Sequence, residues 1–173
     1  MPGRPHLPAS VIAAHEAPAF WRVGIMWNIS LSAETTAGAF TLMDQTMPQG
    51  SGAPPHVHER YDEGFFIIEG AVEYTVGHDG EQQTILAEGG AAVWIPRGTR
   101  HAFEVKSETA RALNFYTPGG FDESISMLAT PAAARTLPPA DSGENDPRGF
   151  QTDPARETAY HQRIAELHSQ SGP

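Results

Sequence analysis

Between about Phe20 and Pro118 the sequence is a succession of short apolar runs, separated by breaks that mostly contain glycine or proline. The runs are rich in β-branched and aromatic residues, as in "GFFII" and "AAVWIP", and none of them has the period of an amphipathic helix. The breaks include "PQGSGAPP", "GHDG" and "PRGTR". Many short strands with regular turn signals are typical of an antiparallel barrel or sandwich, so we predict an all-β fold.

The length of 173 residues predicts one domain. We expect an N-terminal arm over residues 1–20, a barrel over 21–120, and a C-terminal region over 121–173 with short helices and an irregular stretch. Asp122 is predicted to cap a short helix that Pro131 ends. A second helix is predicted over 153–170, with Asp153 as its cap and Pro154 at its first position.

Charge and composition exclude several classes of partner. The formal net charge is -10 and the eleven basic residues form no cluster, which argues against nucleic acid and an anionic membrane surface. With no cysteine, neither a disulfide nor a thiolate metal site can form. The start, "MPGRPHLPAS", lacks the apolar core of a signal peptide, and no run is long enough for a transmembrane helix, so we expect a cytoplasmic protein.

The segment "PPHVHERYDE" carries the first candidate site. Side chains alternate along a strand, so His56 and His58 are predicted to lie on one face, while Pro54 and Pro55 keep the strand from starting earlier. If "ERYD" is a turn, Glu63 returns beside the two histidines. Two histidines and one carboxylate are a recurrent set for divalent transition metals with open coordination positions.

A second segment, "GGAAVWIPRGTRHAFEV", completes a pattern that resembles the cupin superfamily. The first cupin motif, G-x5-H-x-H-x4-E-x6-G, matches Gly50, His56, His58, Glu63 and Gly70. The second motif, G-x5-P-x-G-x2-H-x3-N, matches at Gly90, Pro96, Gly98 and His101, and departs from the pattern at Val105. A looser resemblance, to small single-barrel cupins that include quercetin-dioxygenase-like proteins of bacteria, extends over Trp21 to Leu137.

The resemblance implies a double-stranded β-helix, or jelly-roll barrel, with a metal inside. His56, His58, Glu63 and His101 would be the ligands of one divalent transition metal, which could be Ni, Fe, Mn, Co, Cu or Zn. The "PRGTR" turn is expected to deliver His101 onto the inner face of its strand.

Strand parity indicates candidates for a substrate pocket. Phe65 and Ile67 share the parity of Glu63, and Phe103 and Val105 share that of His101, so all four are expected to point into the barrel. The further candidates for pocket or core, between which parity does not choose, are Trp21, Trp27, Trp94, Leu113, Phe115 and Tyr116. Plain core packing is an equal alternative, because in a small barrel the core and the pocket occupy the same space. Arg97 and Arg100 are expected as rim charges, and Asp62 in a solvated turn.

These features lead to a first functional hypothesis, a metal-dependent dioxygenase. The substrate would be small and hydrophobic, flavonol-like or catechol-like, with adjacent oxygens to bind the metal. The quercetinase-like resemblance further suggests that Glu63 acts both as a ligand and as a proton acceptor. The alternatives are a non-redox cyclase or isomerase of the polyketide-cyclase type, or a cupin that binds a small molecule without catalysis. A homodimer is also expected, with the segment before Phe40 as the contributor.

Overall fold

The structure is a computed structural model that describes residues 9–78, 80–144 and the two isolated positions 158 and 162. The described part of the chain consists mainly of short strands, with one helix. In chain order the elements are β1 Ala19–Arg22, β2 Ile25–Leu31, β3 Thr41–Pro48, β4 Gly52–His56, β5 Asp62–Glu69, β6 Ala71–Val76, β7 Gln83–Glu88, β8 Ala92–Ile95, β9 His101–Val105, β10 Thr109–Thr117, α1 Phe121–Leu128 and β11 Thr130–Pro131.

The strands form two antiparallel sheets that enclose one hydrophobic core. The larger sheet has the order β11-β1-β2-β3-β10-β5-β8, and the smaller one has the order β4-β9-β6-β7. Phe65 of the larger sheet contacts Tyr74 and Phe103 of the smaller sheet, with ring centroids 5.2 and 5.6 Å apart. The all-β prediction is therefore confirmed, and the architecture is that of a jelly-roll barrel.

The alternation of side chains determines which face of each strand lies in the core. In β3, Met43, Gln45 and Met47 are fully buried, and the residues between them are partly exposed. In β10, Ala110, Ala112, Asn114 and Tyr116 are buried in the same way. The period of two is the pattern expected of a sheet with one face against the core.

The proline pair lies inside a strand, contrary to the expectation that it would delay the strand. β4 begins at Gly52 and includes both Pro54 and Pro55. The register with β9 shifts between Ala53 and His56, so the prolines fall where the ladder is irregular. β4 is also the edge strand of the smaller sheet. Edges and bulges are the places where a strand tolerates residues without a backbone N–H.

Asp122 does not cap α1 as predicted. The N-cap is Gly120, which has no side chain to offer, and Asp122 lies in the first turn. Its buried carboxylate accepts hydrogen bonds from the Ala33 backbone and the Thr41 hydroxyl, and so fixes the helix to the barrel. The helix ends at Leu128, and Pro131 lies in β11, paired with Phe20.

The predicted helix over 153–170 lies outside the described residues, apart from Thr158 and Gln162, which are helical. Over the described ranges, no helix is long and apolar enough to cross a membrane.

Candidate metal centre

Three strands from both sheets bring the four predicted ligands together. His56 ends β4, and its register partner across the ladder is His101, the first residue of β9. His58 follows two residues after His56, and Glu63 lies on β5 of the other sheet. Glu63 and His101 are buried, whereas His56 and His58 are partly exposed. One nitrogen or oxygen of each residue lies within 4.8 Å of those of the others.

The distances between these donor atoms suit a single cation. His56 Nε2 and His58 Nε2 are 3.1 Å apart, His101 Nε2 and Glu63 Oε2 are 2.9 Å apart, and His58 Nε2 and Glu63 Oε2 are 3.5 Å apart. With ligand bonds of about 2.0–2.2 Å, neighbouring donors around one ion lie roughly 3 to 3.5 Å from each other. The cluster could therefore bind a metal without a large rearrangement.

Backbone carbonyls orient two of the imidazoles. Nδ1 of His56 lies 2.8 Å from the carbonyl oxygen of Pro54, and Nδ1 of His101 lies 2.9 Å from that of Thr99. A carbonyl can only accept, so Nδ1 carries a proton in each ring, and in the neutral form of each ring Nε2 holds the lone pair. This is the tautomer that a ligand through Nε2 requires. Pro54 therefore has a role at the site, because its carbonyl oxygen orients the His56 ring.

The electrostatics of the cluster also favour a cation. Burial lowers the pKa of His56 to about 4, so its imidazole is neutral at neutral pH and open to a metal. Burial opposes ionisation of Glu63, but hydrogen bonds from His101, His58 and Tyr116 outweigh it and hold the pKa of the carboxyl well below its usual range. Burial likewise disfavours the charged form of His101, but its bond to Glu63 leaves the pKa of the imidazole raised. The site therefore contains an ionised carboxylate next to the three imidazoles.

A buried polar network lies behind Glu63, and sequence reasoning missed it. Tyr116 and Asn114 both donate hydrogen bonds to Glu63 Oε1, the second of these at 3.0 Å. Gln45 donates to Asn114 Oδ1 at 3.0 Å. These bonds hold Oε1 of Glu63 on the side away from the histidines, so that Oε2 faces them. The sequence carried one signal for this network. Gln45 on β3 and Asn114 on β10 are polar, yet they share strand parity with the inward residues Met43 and Ala112.

The cluster opens into a cavity of about 270 Å³, whose wall includes His56, His58 and Glu63. The rest of the wall is mostly apolar. Side chains from α1 form part of it, a contribution that sequence reasoning did not foresee. Besides the three candidate ligands, the lining consists of Arg22, Val23, Ile25, Trp27, Gly52, Ala53, Pro54, Phe103, Tyr116, Phe121, Ser124 and Ile125.

Of the candidate lining residues, Trp27, Phe103 and Tyr116 border this cavity. Phe65, Ile67 and Val105 point inward, as predicted, but they do not line the cavity. They are packed in the core, with at most 1% of each residue exposed. Phe115 lies on the opposite face of the larger sheet, where its ring is 5.9 Å from that of Trp94. It follows Asn114 in the strand, and neighbouring residues of a strand point to opposite faces.

An ion pair holds the turn that precedes His101. The Arg97 guanidinium binds the Asp62 carboxylate with N–O distances of 2.6 and 3.2 Å, and the Arg97 backbone N–H donates to the same carboxylate. Asp62 is the first residue of β5, not part of a solvated turn as predicted. Because it precedes Glu63, this pair ties the His101 turn to the strand that carries the carboxylate.

Comparisons with known proteins agree with this arrangement. Residues 43–116 match the family model described as Cupin domain. A quercetin 2,3-dioxygenase from Aspergillus japonicus is 26% identical over 117 residues, which are 66% of this chain and 33% of the fungal protein. The chain thus spans about a third of the length of this curated relative.

Solved structures show the same fold. KdgF from Halomonas sp. superposes with a TM-score of 0.55 and 21% identity, over 66% of this chain and 99% of that one. Oxalate decarboxylase from Bacillus subtilis superposes with a TM-score of 0.59 and 16% identity, over 75% of this chain and 34% of that one.

The fold and the His/Glu cluster define a jelly-roll protein with a possible metal site. The resemblance to the cupin superfamily is confirmed by the match of residues 43–116 to the Cupin domain model.

Replacement of Tyr116 by Phe should weaken metal binding by about tenfold, because Glu63 Oε1 loses its hydroxyl donor while the ring remains. Burial and the charge of Glu63 raise the pKa of Tyr116, so its hydroxyl is always available as a donor. The metal dissociation constant can be measured by competition with a chelator.

Tyr74→Phe is the matched control, since Tyr74 is equally buried and its hydroxyl has no hydrogen-bond partner among the described residues. Its removal should leave metal affinity unchanged. Equal dissociation constants for Tyr116→Phe and the wild type would contradict the positioning role of this hydroxyl.

Proposed function

We propose that this chain is a metal-dependent dioxygenase that acts on a small, hydrophobic substrate with adjacent oxygen atoms. The observation that carries the proposal is a cluster of three histidines and one carboxylate at the wall of an apolar cavity. The similarity to a quercetin 2,3-dioxygenase supports the same chemistry. Both atoms of dioxygen would enter the product, so no external reductant is required.

His56, His58, Glu63 and His101 would hold the metal through three Nε2 atoms and Glu63 Oε2. A divalent transition metal in such a site supplies Lewis acidity and, for redox-active ions, electron transfer between substrate and dioxygen. The donor set of nitrogen and oxygen fits Ni, Fe, Mn, Co, Cu or Zn.

The apolar wall would bind the substrate ring and exclude water. Trp27, Phe103 and Phe121 present aromatic surface to the cavity. A volume of about 270 Å³ is close to the lower end of the usual range for ligand sites, which is about 300–1,000 Å³. A cavity of this size suits a small, hydrophobic substrate.

Glu63 would act as the proton acceptor in addition to its role as a ligand. Its carboxylate is ionised at neutral pH, because its hydrogen bonds keep the pKa low. Tyr116 and Asn114 hold Oε1, so Oε2 remains directed towards the cavity side of the cluster. If Oε2 detaches from the metal, a proton released by a catechol or enol hydroxyl on binding can move to this oxygen.

The test uses protein stripped of metal and reloaded with each of the six ions. We expect oxygen uptake with at least one redox-active metal and a catechol or flavonol, and incorporation of both atoms of labelled dioxygen into the product. The variant His56→Ala should abolish both, whereas His78→Ala, on the exposed turn after β6, should not.

Three results would contradict the proposal. No oxygen uptake with any metal and substrate would exclude the dioxygenase. Turnover that persists with Zn and without oxygen would instead assign a cyclase or isomerase. Saturable binding with the ligand recovered unchanged would assign a binding protein.

A further inference from the structure

The wall of the cavity contains an arginine that the proposed reaction does not use. Arg22 is the only lysine or arginine among the described residues that line the cavity. Its neighbours in the wall, apart from the metal cluster, are mostly apolar. A guanidinium is always charged, and removal of a charge from water is costly unless a partner compensates it. The cavity therefore has two charged regions, the metal centre and Arg22.

The pairing of β1 with β2 directs the Arg22 side chain towards the cavity. Arg22 is the partner of Ile25, and Phe20, two residues earlier on β1, is the partner of Trp27. Paired residues of an antiparallel ladder lie on the same face of the sheet. Ile25 and Trp27 both line the cavity, so Arg22 lies on the cavity face as well. Its Nη1 atom is shielded from solvent there.

The turn that follows Arg22 has an unusual residue at its first position. Val23 and Gly24 join β1 to β2, with φ angles of 49° and 76°. A two-residue hairpin with positive φ at both positions favours Asn-Gly, because β-branched residues rarely adopt this conformation. The Val23 side chain is buried and borders the cavity. Departures from local preference are expected mainly at functional sites.

Several hydrogen bonds fix the position of this hairpin. The Gly24 backbone N–H donates to the Glu144 carbonyl at 2.5 Å, and the Thr130 hydroxyl donates to the Glu144 carboxylate at 2.6 Å. Thr130 belongs to β11, which pairs with β1. On the other side, the Trp27 indole N–H donates to the Arg22 carbonyl at 3.3 Å. The backbone that carries Arg22 therefore has a defined place in the wall.

The other donors of the wall are mostly engaged. The Tyr116 hydroxyl donates to Glu63, and the Trp27 indole donates to the backbone. Outside the metal cluster, Ser124 of α1 is a further polar side chain in the described part of the wall. A guanidinium has five N–H donors in a planar fork that matches a carboxylate. Arg22 can therefore bind a carboxylate and also keep a contact with its own chain.

The charges of the cavity also favour an anionic ligand. The Glu63 carboxylate balances one of the two charges of a divalent ion, and Arg22 adds a further positive charge. A ligand with an ionised metal-binding oxygen and a carboxylate would neutralise both regions, as buried charges require. The cavity is small, about 270 Å³, so one molecule can contact both the cluster and Arg22.

We propose that Arg22 binds a carboxylate of the substrate, while adjacent oxygens of the same molecule face the metal centre. The substrate class is then a small aromatic or enolic acid, and neutral catechols and flavonols bind less well. Arg22 determines specificity and takes no part in the reaction at the metal. The inference rests on the proposed function for the orientation of the substrate, but the binding step requires neither oxygen nor turnover.

The test measures binding to the Zn-loaded full chain by calorimetry without oxygen. The two ligands are protocatechuate, a catechol with a carboxylate on its ring, and the corresponding amide, which has the same shape and no charge. The wild type should bind the acid at least about tenfold more tightly than the amide. Arg22→Gln should reduce this ratio to about one. Arg22→Lys, which keeps the charge but loses the fork, should give an intermediate ratio.

Arg111→Gln is the matched control. It removes the same charge from an exposed ion pair with Asp44, far from the cavity wall. Exposed pairs contribute little, so this variant should keep the ratio of the wild type. Circular dichroism and metal content check that each variant is folded and loaded. The wild-type ratio needs no variant, so it tests the proposal even if Arg22→Gln does not fold.

Three results would overturn the proposal: a wild-type ratio of about one, no binding of the acid, or an acid preference that Arg22→Gln retains. Failure of the proposed function gives a different result. Oxygen uptake would then be absent with every metal, while the acid preference and its dependence on Arg22 persist. Oxygen uptake with equal kcat/KM for the acid and the amide would support the dioxygenase and overturn the role of Arg22.

Discussion

Replacement of Glu63 by Gln should reduce the bound metal from about one equivalent to less than about a tenth of one, and the proposed activity by at least about 100-fold. The carboxylate is the only anionic member of the cluster. One of its oxygens lies near His58 and His101, and the other accepts from Tyr116 and Asn114. The glutamine amide has the same shape but carries an NH2 group in place of one oxygen. Either the metal loses an oxygen ligand, or the buried donors of Tyr116 and Asn114 lose their acceptor.

Metal content after dialysis, measured by mass spectrometry, and the visible absorption of the Co²⁺-loaded protein are the two readouts. Glu69→Gln is the matched control, since Glu69 is an exposed carboxylate on the same strand and its replacement changes the net charge equally. It should bind metal as the wild type does. A Glu63→Gln variant with a full equivalent of metal and an unchanged Co²⁺ spectrum would show that the carboxylate is not part of the centre.

The strands and the candidate ligands could be predicted because they depend on local patterns. Most turns are signalled by glycine or proline, and each strand by the residues between two turns. The spacing of His56, His58 and Glu63 is also local, since one edge strand and one turn connect them. His101 lies far along the chain, but the cupin resemblance of the second segment supplied it. The structure then shows the direct cause, which is the pairing of His56 with His101 across two neighbouring strands.

The lining of the cavity was predicted less well, for a physical reason. Parity determines whether a side chain points into the barrel, but not at which depth along the barrel it lies. Phe65, Ile67 and Val105 point inward and pack in the core away from the cavity wall. The α1 side chains Phe121 and Ile125 reach the cavity from the end of the barrel, where strand parity gives no information.

Register explains the two remaining differences. Tyr116 is the partner of Glu63 and Phe115 is the partner of Gly64, so one is a donor at the site and the other lies on the outer face. Without knowledge of this long-range pairing, the two aromatic residues are equivalent candidates. Asn114 was overlooked because its role depends on Glu63 from β5 and Gln45 from β3, its neighbours on both sides.

The second large effect is expected on stability, from Gly70→Ala. Gly70 joins β5 to β6 with a φ of 86°, a conformation that costs other residues roughly 1–2 kcal/mol. A Cβ here would also lie 2.3 Å from the Thr109 carbonyl oxygen and 2.6 Å from the Ser107 hydroxyl. The Ser107 hydroxyl accepts from the Ala71 backbone at 2.9 Å, so relief of the clash would break a bond at the start of β6. We expect the free energy of unfolding to fall by about 4 kcal/mol, measured in urea.

Gly90→Ala separates the two causes of this loss. Gly90 has a φ of 93°, similar to that of Gly70, but a Cβ at Gly90 would meet nothing within 4 Å. Its replacement should therefore cost only the backbone strain, about 1–2 kcal/mol. The difference between the two variants measures the close approach of β10 to the turn at Gly70. If both variants lost the same free energy of unfolding, Gly70 would be required only for its dihedral angle. The close contact with Thr109 would then contribute nothing to stability.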